Sequence, residues 1–272
     1  MSTLKWTGER LVSSVTDENA TEHIHRYAMA MQYCQGKIVV DIASGEGYGS
    51  ALLAGDAASV TGIDIDPDAV KFAAGKYKRK NLEFKTGSAT AIPLPDKSID
   101  VVVSFETIEH HDKHLEMMQE IKRILKPEGL LIISTPERLY YSEERNYKNP
   151  FHVKELNRQE FQMLLQEQFQ NVQLLGQRLV YGSLLVNPDD EKNGFSFFDG
   201  DYQTVEKKTM KPYYYIAIAS SAPLPPVRNS FFDAEKILNQ RFTAIFSSPS
   251  FRLGNLMLRP AAVVMRILGL KK

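Results

Sequence analysis

The chain is poor in three things, and each shortage excludes something. It carries a single cysteine, Cys34, in 272 residues. An internal disulfide is therefore excluded, and a reducing compartment fits. No uninterrupted run of 18 apolar residues occurs, so no ordinary helical membrane span is expected. The opening stretch "MSTLKWTGERLV" has no apolar centre of the kind a secretory leader needs, which makes a cytoplasmic location the expectation. Net charge is missing too: 33 Lys and Arg balance 33 Asp and Glu. No global field points to nucleic acid, and no nucleic-acid partner is expected.

What is present is ordinary in amount and uneven in placement. Hydrophobic residues make up 43% and charged residues 24%, enough for one large domain with an appendage. From Pro223 onward there are eight Lys/Arg and two Asp/Glu, leaving 25 basic against 31 acidic before it. The body is thus about −6 and the last fifty residues about +6.

Apolar runs and helix-period segments alternate. "DENATEHIHRYAMAMQYC" predicts a helix with Asp17 as N-cap, ended by Gly36. "KIVVDI", "SVTGIDI", "LEFKTG", "IDVVVSF" and "LLIIST" are short apolar runs of the kind that form buried parallel strands. Between them lie the helical patterns "YGSALLAG", "DPDAVKFAAGKYKRK" and "HLEMMQEIKRILKPEG", with Pro67 in a first turn and Pro127 and Gly129 as stops. "NRQEFQMLLQEQF" is one more helix, and "NVQLLGQRLVYG" and "YYYIAIASS" are two late strands. The alternation implies an α/β fold with a mostly parallel, Rossmann-like sheet, an antiparallel last strand and flanking helices. The expected divisions are an N-terminal lid or helix (1–35), a core domain (36–220), a linker (221–229) and a basic helical tail (230–272).

"VVDIASGEGYGS" sets Asp41 at the end of the first strand, with Gly45, Gly47 and Gly49 in the turn after it. Such a turn lets backbone approach a ligand, and the next helix offers free N–H groups. Asp64 ends the second strand, where a carboxylate can accept hydrogen bonds from a ribose diol. The dinucleotide pattern G-x-G-x-x-G fails, because Ser50 stands at its third glycine.

Taken with "GSATAIPLPDKSIDVVVSFETIEH" and "ILKPEGLLIISTP", these motifs resemble the class I S-adenosylmethionine-dependent methyltransferases over roughly residues 20–220. "DIASGEGYG" is similar to that family's D-x-G-x-G-x-G motif, with Ala43 at the first glycine. The resemblance implies S-adenosyl-L-methionine as cofactor. It implies that Asp41 and the stretch Ala43, Ser44, Gly45, Glu46 and Gly47 lie near its methionine end. Asp64 and Ile65 would hold the ribose, and Ser88 and Ala89 would border the adenine. Phe105 and Glu106 would flank the sulfonium. Ser88 stands where the family often has an aspartate.

"SFETIEHHDKH", Ser104 to His114, holds three of the six histidines. Methyl transfer to a hydroxyl needs a base, and histidine suits neutral pH. His110 and Glu109 are the catalytic candidates, though His110 reads equally as a residue packing the next helix. His111 and His114 read as solvated. A metal pair at His110 and His114 would require both on one helix; Asp112 reads as that helix's N-cap and leaves His110 outside it, so no metal site is expected.

Arg10, Arg26, Tyr140 and His152 are the substrate candidates. The first two lie in "WTGERLV…TEHIHRY", either a lid or a plain amphipathic helix. The others lie in "ERLYYSEERNYKNPFHVKELNRQEF", a stretch suited to a sugar but also to a polar surface loop. Residues 181–212 read as an insertion that caps the pocket.

"TGERLV", "HRYAMAM", "GEGYGSALLA" and "NPFHVKEL" together resemble methyltransferases of bacterial surface-polysaccharide synthesis. That implies O-methylation of a sugar hydroxyl on a glycan, a lipid-linked glycan or a nucleotide-sugar. The alternatives are methylation of a small lipophilic metabolite such as a quinone precursor, or a non-catalytic cofactor-binding scaffold in a polysaccharide assembly complex. In the tail, Arg252, Arg259 and Arg266 recur every seven residues beside apolar ones. On a helix they form one basic stripe, which can meet the inner membrane surface, a glycosyltransferase, or the protein's own domain.

Overall fold

The computed structural model describes residues 10–181, 195–254 and 256. The five apolar runs become β1 (Ile38–Ile42), β2 (Ser59–Asp64), β3 (Leu82–Thr86), β4 (Ile99–Ser104) and β5 (Leu125–Pro136). Two later strands, β6 (Asn171–Gln177) and β9 (Tyr214–Ser220), complete a seven-stranded sheet of order β3-β2-β1-β4-β5-β9-β6. β9 slots between β5 and β6 and runs antiparallel to both; the other neighbouring pairs are parallel. Among the described residues two further strands, β7 (Phe197–Gly200) and β8 (Val205–Lys208), pair as a separate hairpin. Its residues are mostly exposed, so no apolar alternation announced it.

The central strands are buried on both sides, and their residues divide by parity between two cores. Val40, Ile42, Val102, Leu131 and Ile133 face one way and pack with Met117, Met118 and Ile121 of α4 (His114–Ile124) and Phe161 and Leu165 of α5 (Arg158–Gln166). Val39, Val101, Val103, Ile132, Ile216 and Ile218 face the other way, against Tyr27 and Ala30 of α1 (Glu18–Met31) and Leu53 of α2 (Tyr48–Leu53). This is the period-two rule of a strand covered on both faces. Each fully buried Ile or Val contributes roughly 1.5–3 kcal/mol.

Local signals place the helices. Asp17 caps α1 by accepting from the Ala20 amide at 3.0 Å, and Pro67 opens α3 (Pro67–Lys76) after the cap Asp66. Asn157 and Glu160 form a reciprocal capping box on α5. One cap differs from expectation: α4 starts at His114, and Lys113 rather than Asp112 occupies the cap position, without a side-chain bond. The turn "KPEG" does not end the helix either. α4 ends at Ile124, β5 starts at once, and residues 126–129 form a bulge against β4.

The stretch 221–229 is anchored rather than loose. The Asn171 amide donates to the Ala222 carbonyl at 2.9 Å, and the Tyr33 hydroxyl to the Pro226 carbonyl at 3.2 Å. α6 (Glu235–Ser247) follows, held to α1 by an Arg241–Glu18 ion pair at 2.8 Å. The tail proposed as a basic stripe lies largely outside the described residues, as do residues 182–194 of the insertion. Among the described residues no helix is long and apolar enough to cross a membrane.

Candidate active site

Strand order reverses direction of winding between β1 and β4, and the carboxyl ends of β1, β2 and β4 meet there, where α/β sheets bind ligands. The turn after β1 is built of unusual backbone: Ala43, Gly45 and Gly47 take φ of +58°, +55° and +89°. Alanine at the first position therefore carries a backbone cost of about 1 kcal/mol that glycine would not. At Gly47 a Cβ would also come 2.7 Å from the Ala73 Cβ. Gly49 accepts the face of Tyr27, whose ring would lie 1.9 Å from a Cβ there. That closeness lets the Tyr27 hydroxyl donate to Asp41 at 3.2 Å, beside the Ser50 hydroxyl at 2.6 Å. Asp41 is buried, and burial pushes its pKa up to about 7 against those hydrogen bonds.

Asp64 joins the same turn. It accepts the Gly45 N–H at 2.7 Å and the Asp66 N–H at 3.0 Å. Ile65 beside it is exposed. Glu46 turns the other way, to Lys76 and Ser13. The Ser88 hydroxyl closes a local turn onto Thr90, and Ala89 packs at the edge of the core. Phe105 is buried edge-on to Tyr27 at 5.0 Å. Glu106 takes φ +50° and exchanges two hydrogen bonds with Ser134, at 3.0 and 2.6 Å.

Arg26 lies under this end of the sheet with 2% of its surface exposed. Its Nε donates to Gln177 at 2.7 Å, its guanidinium lies 4.3 Å from the Tyr214 ring centre, and Nη1 is 3.3 Å from Glu106. Among the described residues neither terminal nitrogen has a hydrogen-bond partner. Burial opposes its charge, but Glu106, Tyr214, Glu22 and Glu109 outweigh that and hold it more firmly protonated than usual.

The residues after β4 form a second group. A 3-10 turn, Ile108–His110, is laced to the loop after β5. The Val153 and Lys154 amides both donate to the Glu109 carbonyl, at 2.8 and 3.1 Å. His110 Nδ1 lies 3.1 Å from the Phe151 carbonyl, which can only accept, so Nδ1 carries the proton. This lacing brings His152 edge-on to His110, ring centres 5.2 Å apart. His152 Nδ1 meets Glu155 at 2.5 Å, and Tyr141 stacks on its ring at 5.7 Å. Glu109 is wholly buried, and both its carboxylate oxygens lack hydrogen-bond partners among the described residues. Burial, then the nearby Glu106, push its pKa well above the ordinary value.

Several expectations need correction. His114 is buried, not solvated: its Nε2 is 2.8 Å from the His111 carbonyl. His111 is half-buried, and its ring nitrogens have no hydrogen-bond partner among the described residues. Arg10 does not join the acceptor-side group. It crosses the glycine turn, bonding Asp66 at 3.1 Å and approaching Asp64 at 3.7 Å. Tyr140 lies apart, near Lys211, because the π-turn Leu139–Glu143 sends Tyr141 inward instead. Tyr27 lay within the quoted stretch "HRYAMAM" without being singled out; Tyr141, Gln177 and Tyr214, which pack beside these groups, carried no motif.

A family model described as a methyltransferase domain matches residues 40–133, the stretch from β1 to β5. A Mycolicibacterium smegmatis protein whose name assigns it to the S-adenosylmethionine-dependent methyltransferases is 38% identical over 61% of this chain and 65% of its own length. The match thus spans just under two thirds of that relative. Rv3030 of Mycobacterium tuberculosis, assigned by name to the same group, is 35% identical over 70% of each chain. More distant is a Mycobacterium leprae protein named phthiotriol/phenolphthiotriol dimycocerosates methyltransferase, 31% identical over 43% of this chain and 44% of its own. Among solved structures, a Listeria monocytogenes chain aligns with a TM-score of 0.55 at 14% identity, over 76% of this chain and all of that one. At that identity the likeness speaks for the fold alone.

Proposed function

Because the chain belongs to the S-adenosylmethionine-dependent methyltransferases, we propose that it transfers a methyl group to a sugar hydroxyl of a glycan, lipid-linked glycan or nucleotide-sugar. The residues at the sheet's carboxyl end fit the family's cofactor. The Ser44 hydroxyl and both Arg26 terminal nitrogens are buried and lack hydrogen-bond partners among the described residues. Such donors are costly unless a polar ligand meets them. Asp64 would accept from the ribose hydroxyls, and the turn Ala43–Gly47 would lie against the methionine end. Arg26 would meet a carboxylate there. Ile65, Ser88 and Ala89 would border the base, with Phe105 and Glu106 beside the reacting atoms. The bound cofactor supplies a methyl group on a sulfonium that needs no further activation.

The chain's remaining work is to place the acceptor, exclude water and remove its proton. His110 is suited to the last task, because its Nδ1 proton is committed to Phe151 and Nε2 carries the lone pair. Glu109 stands 4.0 Å from that nitrogen.

The observation that carries the sugar reading is the chemistry of the acceptor-side wall. Glu109, His110, His152, Tyr141 and Tyr214 line it with polar and aromatic groups, and both Glu109 oxygens lack hydrogen-bond partners among the described residues. An apolar acceptor would leave those groups unpaired, whereas sugar hydroxyls satisfy them and sugar C–H faces stack on tyrosine. A second reading, a lipophilic acceptor, draws on the M. leprae relative's name; the polar wall speaks against it. Transfer of radiolabelled methyl from S-adenosylmethionine to matched panels of oligosaccharides and lipids decides. Label in a sugar methyl ether is expected; label on lipid groups with none on any sugar would overturn the proposal.

The tail fits a role in bringing such an acceptor to the site. Phe242, Phe246 and Phe251 contact one another yet stay 41–55% exposed. An apolar surface of this kind suits a membrane face or a glycosyltransferase partner.

A further inference from the structure

Glu109, His110 and His152 bring one ligand atom each to within 4.8 Å of one another. We propose that they form a binding site for a divalent first-row transition cation, one that activates the acceptor hydroxyl; the inference rests on the methyl-transfer reading above.

Two independent features support it. The first is Glu109. A carboxylate with no exposed surface and no hydrogen-bond partner among the described residues is costly in either protonation state. A cation at its side removes that cost. The second is the pose of the two imidazoles. His110 Nδ1 is turned to the Phe151 carbonyl and His152 Nδ1 to the Glu155 carboxylate. A carbonyl or carboxylate on one ring nitrogen is the usual support for a histidine that ligates through the other, because it fixes the tautomer and raises ligand basicity. Both Nε2 atoms are thereby left as the basic ones.

Neighbouring donors held at about 2.1 Å by a tetrahedral ion stand about 3.4 Å apart. The three donors, now within 4.8 Å of one another, converge on the ion by side-chain rotation. On the His152 side, the bond from Asn149 Nδ2 to His152 Nε2, now 3.0 Å, is exchanged for the ion. Two imidazoles and one carboxylate favour zinc, manganese, iron or cobalt over magnesium or calcium. Three protein ligands leave coordination positions for the acceptor oxygen and water. With the cation bound, His110 serves as a ligand rather than a base. The acceptor hydroxyl then loses its proton to water, the new C–O bond forms as the C–S bond breaks, and sulfur keeps the electron pair.

The test uses the full-length, untagged, chelator-treated protein and cobalt(II) as probe. Visible absorption should titrate to one cobalt per chain. Glu109→Gln and His152→Ala should each weaken binding at least about tenfold, while His111→Ala, altering a neighbouring imidazole outside the cluster, should not. Zinc added to ¹⁵N-histidine-labelled wild type should shift the Nε2 resonances of His110 and His152 and leave those of His111 and His114 in place; this readout needs no variant to fold. Calorimetry with S-adenosylmethionine accompanies each sample. If the wild type binds the cofactor but gives neither a cobalt band nor these shifts, the cation site is overturned and the methyltransferase reading stands. If the wild type fails to bind the cofactor, the reading beneath it falls.

Discussion

The Gly45 amide donates to the Asp64 carboxylate at 2.7 Å, so the glycine turn after β1 and the end of β2 are tied together before any ligand arrives. The second Asp64 oxygen takes the Asp66 amide, and Arg10 approaches from outside. One side chain thus positions the turn and presents the acceptor atoms that a ribose diol would use. Pre-ordering of this kind lowers the entropy cost of binding.

Replacing Asp64 by alanine should remove both roles. Losing hydrogen bonds to a charged group costs about 1.5–3 kcal/mol, so S-adenosylmethionine affinity should fall about 10- to 100-fold. Calorimetric titration measures this. Unchanged affinity would show that Asp64 does not hold the cofactor.

Two glycines with left-handed backbone should respond differently to alanine. At Gly47, φ +89°, the new Cβ meets Ala73 and Phe84 within 2.8 Å; at Gly36, φ +66°, it meets nothing within 4 Å. Gly36→Ala should cost about 1 kcal/mol from backbone alone. Gly47→Ala adds overpacking and should cost about 2–4 kcal/mol, lowering the melting temperature by roughly 5–15 °C. Equal losses would mean that the turn yields where the geometry says it cannot.

The frame of this molecule was readable because each central strand is a compact apolar run and each helix carries period and cap: "KIVVDI", "IDVVVSF", Asp17, Pro67. The cofactor end was readable because its residues are consecutive in two short motifs. The acceptor end was not. His152 is brought to His110 by a bond from the His110 ring to the Phe151 carbonyl, 41 positions along the chain, and no local pattern encodes that lacing. Tyr141 was passed over for Tyr140, since the two are neighbours and only the π-turn decides which points inward. His114 looked solvated because a histidine in a charged stretch usually is; packing against the His111 carbonyl decided otherwise. The exposed β7–β8 hairpin had no apolar face to signal it.

That choice between adjacent tyrosines can be measured. Tyr141 stacks on His152 and lies 5.5 Å from the Tyr214 ring, whereas Tyr140 sits 5.5 Å from the Lys211 ammonium. Aromatic contacts are worth about 0.5–1.5 kcal/mol, so Tyr141→Ala should raise the acceptor KM about 3- to 10-fold. Tyr140→Ala should leave it within about twofold, as surface changes usually do. The reverse ranking would relocate the acceptor pocket.

Asp41 couples the site to pH. Burial raises its pKa from 3.8 to about 7 in the folded chain. The unfolded chain releases this proton near the lower value, so between the two the folded state binds more protons. Stability from this group is then fully present below pH 3.8 and is lost as pH rises through about 7. Asp41→Asn is neutral throughout and keeps an oxygen for the Ser50 and Tyr27 hydroxyls. Its melting temperature, taken as a difference from wild type, should therefore climb as pH rises across that window and level off above it. Subtracting the two profiles cancels the titration of distant groups that both proteins share. A flat difference would mean that Asp41 is ionised in the folded protein throughout, its charge carried by the two hydroxyls alone.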